Sequence, residues 1–173
     1  MILGMSTATF TLLHVIISLV GIASGVVVVL GMLVPRKLPG WTALFLTTTV
    51  LTSATGFLFH SKAFGPPHII GLISLVVLAL AIAALYAYHL VGGWRWVYIA
   101  GAVFSLYLNA FVGVVQAFQK IPLLHPLAPT GSEPPFVIAQ LLVLAFFLWI
   151  GLRALKKFRF YSSGPGLRVA VGS

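Results

Sequence analysis

Long runs of apolar residues follow one another along most of this chain, separated by short polar or proline-containing connections. A helix needs about 20 mainly apolar residues to cross the ~30 Å hydrocarbon core of a bilayer. By this criterion we predict five transmembrane helices, over 10–34, 41–60, 68–91, 94–118 and 136–152. The pattern therefore indicates an all-α integral membrane bundle, with 1–160 as a single domain and 161–173 as a flexible polar tail.

The composition agrees with a protein whose solvent is lipid. Hydrophobic residues make up 61% and charged residues 6% of the 173 positions, whereas soluble domains contain roughly 25% charged residues. No cysteine is present, which excludes disulfides, thiolate nucleophiles and Cys-ligated zinc or iron–sulfur centres. With a single acidic residue and no cysteine, hydrolytic chemistry that needs an acid–base pair or an activated nucleophile is disfavoured.

The ten basic residues indicate how the bundle is oriented. Lys and Arg are retained on the cytoplasmic side of membrane proteins. With the N-terminus outside, eight of the ten fall inside, and the opposite orientation would reverse that ratio. The inner set is Arg36, Lys37, Arg95, Arg153, Lys156, Lys157, Arg159 and Arg168, and the outer pair is Lys62 and Lys120. We therefore expect an outer N-terminus and a cytoplasmic C-terminus.

Small and polar residues recur at helical spacing within the predicted spans. Helices in lipid associate through small residues and interhelical hydrogen bonds, so these faces are expected to point into the bundle. They contain His14, Ser18, Gly21 and Gly25 in the first span, Thr49, Thr52, Gly56 and His60 in the second, and Gly101, Ser105, Asn109, Gly113 and Gln116 in the fourth. Asn109 and Gln116 are expected to bond either to a neighbouring helix or to a substrate or cofactor, because an amide at bilayer depth needs a partner.

Three histidines are predicted to lie at similar depth near the outer face. His60 ends the second span, His68 begins the third, and His14 lies about one turn into the first. Imidazole is the commonest protein ligand of transition metals. The set could hold a b-type haem, copper or zinc, each histidine could be an interfacial residue with a solvated polar tip, or the histidines could transfer protons. No spacing matches a specific metal motif.

The outer connection before the fifth span contains His125 and Glu133, the only acidic residue. Ser132 is expected to cap the fifth helix, and Glu133 is expected to favour the positive end of the helix dipole. Alternatively, Glu133 pairs with Lys120 or His125 and shapes a lid over an outer cavity. At the other end of the fifth span, the basic and aromatic stretch 153–160 is expected to attach to anionic lipid at the cytoplasmic face rather than to nucleic acid.

Four short motifs resemble small multi-span proteins of the bacterial inner membrane. They are Gly93-Trp-Arg-Trp-Val-Tyr98, Leu106-Tyr-Leu-Asn-Ala-Phe111, Val115-Gln-Ala-Phe118, and Leu127-Ala-Pro-Thr130 followed by Glu133-Pro-Pro-Phe136. The similarity covers roughly the third to the fifth span. It implies a bacterial cytoplasmic membrane and implies no activity or site residue.

Three functions are consistent with these patterns. One is a haem- or metal-binding membrane protein that uses His14, His60 and His68, with a role in electron transfer. The second is a non-catalytic structural or assembly subunit, either of a homo-oligomer or of a larger membrane complex. The third is a small-solute transporter with a pathway along the threonine-rich second span and Asn109 to Gln116. The absence of a detectable inverted repeat disfavours transport.

Overall fold

The computed structural model describes residues 4–34, 36, 38–59 and 65–158, of which 82% are helical and none forms a β-strand. Five long helices follow one another along the chain. They are α1 (Thr7–Leu33), α2 (Pro39–Gly56), α3 (Pro66–Ile82), α4 (Trp94–Lys120) and α5 (Pro134–Lys157). A π-helical turn (Ala83–Ala87) continues α3, and a short 3-10 turn (His125–Leu127) lies between α4 and α5. The predicted all-α class is confirmed for the described residues.

The helices differ from the predicted spans mainly at their ends. α1 begins earlier because Ser6 caps it, its hydroxyl oxygen accepting a hydrogen bond from the Thr9 amide at 3.1 Å. α5 continues beyond Leu152, since Lys156 and Lys157 in its last turn interact favourably with the negative end of the helix dipole. Local capping and charge thus lengthen both helices beyond their apolar stretches.

Four helical segments are long and apolar enough to cross a membrane: α1, His68–Ala87 (α3 with its π-turn), α4 and α5. α2 has 18 residues, which span about 27 Å at 1.5 Å per residue. Its threonine and serine residues lower its hydropathy, and it is not among the four. α2 ends at Gly56, before the predicted limit at His60, which lies outside the described residues.

Consecutive helices pack antiparallel. α2 lies against α1 over most of its length, from the Gly31–Leu38 contact at one end to the hydrogen bond between His14 and Thr55 at the other. The Ser53 and Ser74 hydroxyls join α2 to α3 at 2.9 Å. These contacts show that α1, α2 and α3 alternate in direction.

The second half of the chain continues the same alternation. Gly101 of α4 lies close to Ala81 of α3, so that an added Cβ would be 3.0 Å from the Ala81 methyl carbon. Gln140 of α5 donates a hydrogen bond to the Phe111 carbonyl of α4 at 3.2 Å. The start of α1 and the end of α5 therefore lie at opposite ends of the bundle.

The core is formed mainly where α1, α2 and α4 meet. Phe45 and Leu106 are buried against Gly25, which has no side chain to separate the helices. α5 is more peripheral, with only Ile150 and Ala154 buried within it. The small-residue face predicted in the first span is thus the face through which α1 contacts its neighbours.

Candidate functional site

One end of the bundle, the basic end, contains most of the basic side chains that the structure describes. The antiparallel arrangement brings together the end of α1, the start of α2, the π-turn after α3, the start of α4 and the end of α5. The basic side chains described there are Arg36, Arg95, Arg153, Lys156 and Lys157. Glu133, the only acidic residue of the chain, lies at the opposite end. No acidic side chain therefore neutralises the basic end.

The connection between α3 and α4 has an unusual backbone at this end. The Leu90 amide donates a hydrogen bond to the Ala84 carbonyl at 2.9 Å. This bond reaches back six residues, whereas the hydrogen bonds of an α-helix reach back four. His89 and Leu90 then adopt positive φ angles of 48° and 61°. Such conformations in non-glycine residues cost on the order of 1–3 kcal/mol each and cluster at functional sites, as π-turns do. The strained turn directs its side chains toward the end of α1 and the start of α2.

A cavity of about 350 Å³ lies beside this turn. Its size falls within the range of small-molecule sites in proteins, roughly 300–1,000 Å³. Its apolar lining comprises Val28, Met32, Leu38, Pro39, Leu85, Leu90 and Phe158, and its polar lining comprises Arg36, Thr42, Tyr86, His89 and Tyr98. Every helix therefore contributes to it, either directly or through the connection beside it.

The polar groups of the cavity suit a ligand with an anionic head. The exposed Arg36 guanidinium makes no hydrogen bond or ion pair with the part of the chain that the structure describes. The Tyr98 phenol lies beside the Thr42 side chain in the wall of the cavity. Arginine presents a planar fork of donors that matches carboxylate and phosphate oxygens. The cavity thus combines an available cation with hydrocarbon walls.

A second polar cluster lies nearer the middle of the bundle. Asn109 Nδ2 donates a long hydrogen bond of 3.4 Å to Thr49 Oγ1, which links α4 to α2. Gly21 allows α1 to approach them, since an added Cβ would lie 3.5 Å from each of these two atoms. Asn109 therefore has the interhelical partner expected for it. Gln116 differs from the prediction, because its side chain lies on the exposed surface of the chain.

The Thr52 hydroxyl, also part of the predicted polar face, is buried without a hydrogen-bond partner among the described residues. Like Asn109 and Thr49, it does not line the cavity. This region has the character of a packing seam.

His14 and His68 differ in the ring nitrogen that carries the proton. His14 Nδ1 lies 2.7 Å from Thr55 Oγ1, whose own proton is donated to the Leu51 carbonyl at 2.6 Å. His14 is therefore the donor, and its Nε2 keeps a lone pair suited to a metal. His68 Nδ1 instead accepts from the Gly65 amide at 3.2 Å, so a neutral His68 carries its proton on Nε2.

The complete histidine set stays a prediction, because His60 lies outside the described residues. Within the described ranges, no three His, Cys, Asp or Glu side chains are grouped to hold a metal ion. Ligation through His68 Nε2 would require loss of its bond to the Gly65 amide. Of His14 and His68, only His14 has the tautomer typical of a metal ligand, with Nδ1 oriented by a second residue.

In the loop before α5, Glu133 binds its own neighbours. Partial desolvation opposes its ionisation, but hydrogen bonds from Thr130, from Ser132 and from its own amide outweigh this and lower the pKa from 4.5 to about 2. The carboxylate accepts from the Thr130 amide (3.0 Å), the Thr130 hydroxyl (2.8 Å) and the Ser132 amide (3.0 Å). Glu133 is itself the N-cap position of α5, so the expected cap by Ser132 is wrong. His125 is exposed in the 3-10 turn.

The cavity was not predicted from the sequence, although the sequence does indicate that two of its lining residues lie on the same side of the membrane. The predicted topology already places Arg36 and His89 on the same side, next to the break at Gly92-Gly93. Tyr86 and Tyr98 line the cavity because of the π-turn and the rotation of α4 about its axis. Neither feature can be predicted from hydropathy.

Comparison of the chain with models of known protein families, with curated proteins and with solved structures finds no match. The described structure alone therefore defines its class, an all-helical protein with four segments long and apolar enough to cross a membrane.

Proposed function

We propose that this chain is a five-span protein of a bacterial cytoplasmic membrane that binds an anionic amphiphile at its cytoplasmic end. The antiparallel packing of α2 along α1 supports a fifth crossing, since two helices paired over this length share the same depth. The positive charge at one end supports a cytoplasmic C-terminus. The exposed faces of the helices contact lipid in this arrangement.

The observation that supports this function best is the cavity itself. It joins apolar walls from α1, the π-turn and Phe158 to the guanidinium of Arg36, which has no ion-pair partner among the described residues. An amphiphile matches both parts, because its hydrocarbon covers the walls and its anionic head pairs with the arginine. No acidic side chain at this end competes for the cation.

Lipid retention in detergent tests this proposal. Native mass spectrometry of the purified protein should show retained phosphatidic acid and little phosphatidylcholine of the same chain length. Arg36→Gln should weaken retention of phosphatidic acid by at least about tenfold, as expected when a charged hydrogen bond of about 1.5–3 kcal/mol is lost. Arg153→Gln is the matched control, because Arg153 stacks on Trp149 (5.4 Å) at the same end but does not line the cavity. Equal weakening by both variants would contradict a cavity site.

The proposed orientation has its own test, which uses the absence of native cysteine. In intact cells, an impermeant maleimide should label Lys120→Cys at the end of α4. Lys157→Cys at the end of α5 should be labelled only after lysis. Labelling of both sites from the same side of intact cells would rule out the five-span arrangement.

A haem or transition metal near the outer face is a second proposal, supported by the tautomer of His14. Purified protein should then show a Soret band or stoichiometric metal that is lost in His14→Ala. Retention of the cofactor in His14→Ala, or its absence from the wild type, would remove this proposal. If neither lipid nor metal is retained, a structural subunit role becomes the leading proposal.

A further inference from the structure

A groove of about 360 Å³ lies between α2 and α3, beside the cavity. Its walls are mainly apolar. They are formed by Ala43, Leu46, Thr47, Val50 and Leu51 of α2 and by Ile82 and Tyr86 of α3 and its π-turn. Ala43 and Leu51 are exposed, so the groove opens on the surface that faces hydrocarbon in the proposed membrane arrangement.

The groove occupies only the part of the α2–α3 interface near the basic end. Toward the opposite end the two helices are in close contact. Ser53 and Ser74 hydrogen-bond there at 2.9 Å, and a Cβ added to Gly71 would lie 3.0 Å from the Phe57 ring. The α2–α3 interface is thus tight in one half and open in the half that adjoins the cavity.

Tyr86 lies between the groove and the cavity, because it lines both. It belongs to the π-turn and is 55% exposed. The same residue therefore forms part of the wall of each space. A molecule that fills both spaces must pass beside Tyr86.

We infer that the ligand is an anionic lipid drawn from the bilayer, with a hydrocarbon chain in the α2–α3 groove and its head in the cavity near Arg36. This inference rests on the proposed function. It specifies the class of the ligand and the route by which the ligand enters. The lipid enters sideways between α2 and α3, so it does not leave the hydrocarbon layer. A water-soluble anion would use the cavity alone and leave the groove empty.

Photolabelling of the wild-type protein tests the route without any substitution. The probe is phosphatidic acid with a diazirine in the middle of one acyl chain. Labelled peptides should come mainly from residues 43–51 of α2 and from 82–86. Labelling spread evenly over the exposed faces of all the long helices would overturn the inference.

A substitution that fills the groove gives a second readout. Ala43→Trp should reduce retention of long-chain phosphatidic acid about tenfold, while Ala79→Trp, on an exposed position of α3 outside the groove, should change it less than twofold. Both variants should retain glycerol 3-phosphate equally. Retention of the lipid by Ala43→Trp at the wild-type level overturns the groove site but leaves the cavity proposal standing. Failure of the wild type to retain any anionic lipid removes the proposed function itself.

Discussion

His14 Nδ1 donates a hydrogen bond to Thr55 Oγ1 across 2.7 Å, which joins α1 to α2 at the end of the bundle away from the cavity. The direction of this bond follows from the Thr55 hydroxyl, whose proton is directed to the Leu51 carbonyl. A polar side chain near the start of the first apolar stretch thus links α1 to a neighbouring helix. It also sets the tautomer of the imidazole.

Thr55→Val should lower the free energy of unfolding by about 0.6–1.7 kcal/mol, the range measured for hydrogen bonds between membrane helices. Valine keeps the shape of the side chain but leaves the His14 Nδ1–H without an acceptor. Unfolding in mild detergent measures the loss, and nitrogen NMR of the wild type should show His14 protonated at Nδ1. Thr11→Val is the control, since its hydroxyl bonds only to the Thr7 carbonyl of its own helix. Equal losses from both variants would contradict the interhelical role.

Gly25→Ala should destabilise the bundle by about 1–3 kcal/mol through overpacking. The added carbon would lie 2.7 Å from both Leu106 Cδ1 and Phe45 Cε2, and both side chains are buried. Gly113→Ala is the matched control, because its added carbon would meet only Ile22, at 3.8 Å. Thermal unfolding of the two variants should differ clearly. A Gly25 variant as stable as the control would mean that α1 does not pack this closely.

Asn109→Leu should lower the free energy of unfolding by about 0.5–2 kcal/mol, because α4 then loses its hydrogen bond to Thr49 of α2. Gln116→Leu lies on the same helix but at an exposed position, so its effect should stay within about 0.5 kcal/mol. Denaturation of both variants in the same detergent measures the two changes in the free energy of unfolding. A larger loss from Gln116→Leu would restore the interior position predicted for it from the sequence.

The loop before α5 should become less stable in acid. The pKa of Glu133 is lowered from 4.5 to about 2 in the folded protein. The stability that the ionised Glu133 carboxylate gives to the loop is therefore fully present above pH 4.5 and is lost as the pH falls toward 2. Hydrogen exchange at the Thr130 and Ser132 amides should report this loss in the wild type, and Glu133→Gln should exchange faster at neutral pH with little further change in acid. If hydrogen exchange at these amides in the wild type does not depend on pH after correction for intrinsic rates, the predicted loss of stability in acid is wrong.

Several features of the fold could be predicted from residue types along the chain. Apolar runs of sufficient length predict helices because lipid leaves no alternative partner for the backbone. Four of the predicted spans correspond to segments that are long and apolar enough to cross a membrane. An interhelical partner for Asn109 could also be expected, since a buried amide requires one. The partner itself, Thr49, could not be named in advance.

The ligand site depends on information that hydropathy does not contain. The π-turn changes the rotational phase of the residues after Ile82 and brings Tyr86 and His89 to the cavity. Gln116 lies on the predicted polar face of α4. The neighbouring helices cover other parts of that face and leave Gln116 exposed. Apolar length and local charge are properties of one segment, and they specify the helices and the expected side of each connection. The rotation of each helix and the space between helices arise from contacts among distant segments, so they require the packed structure.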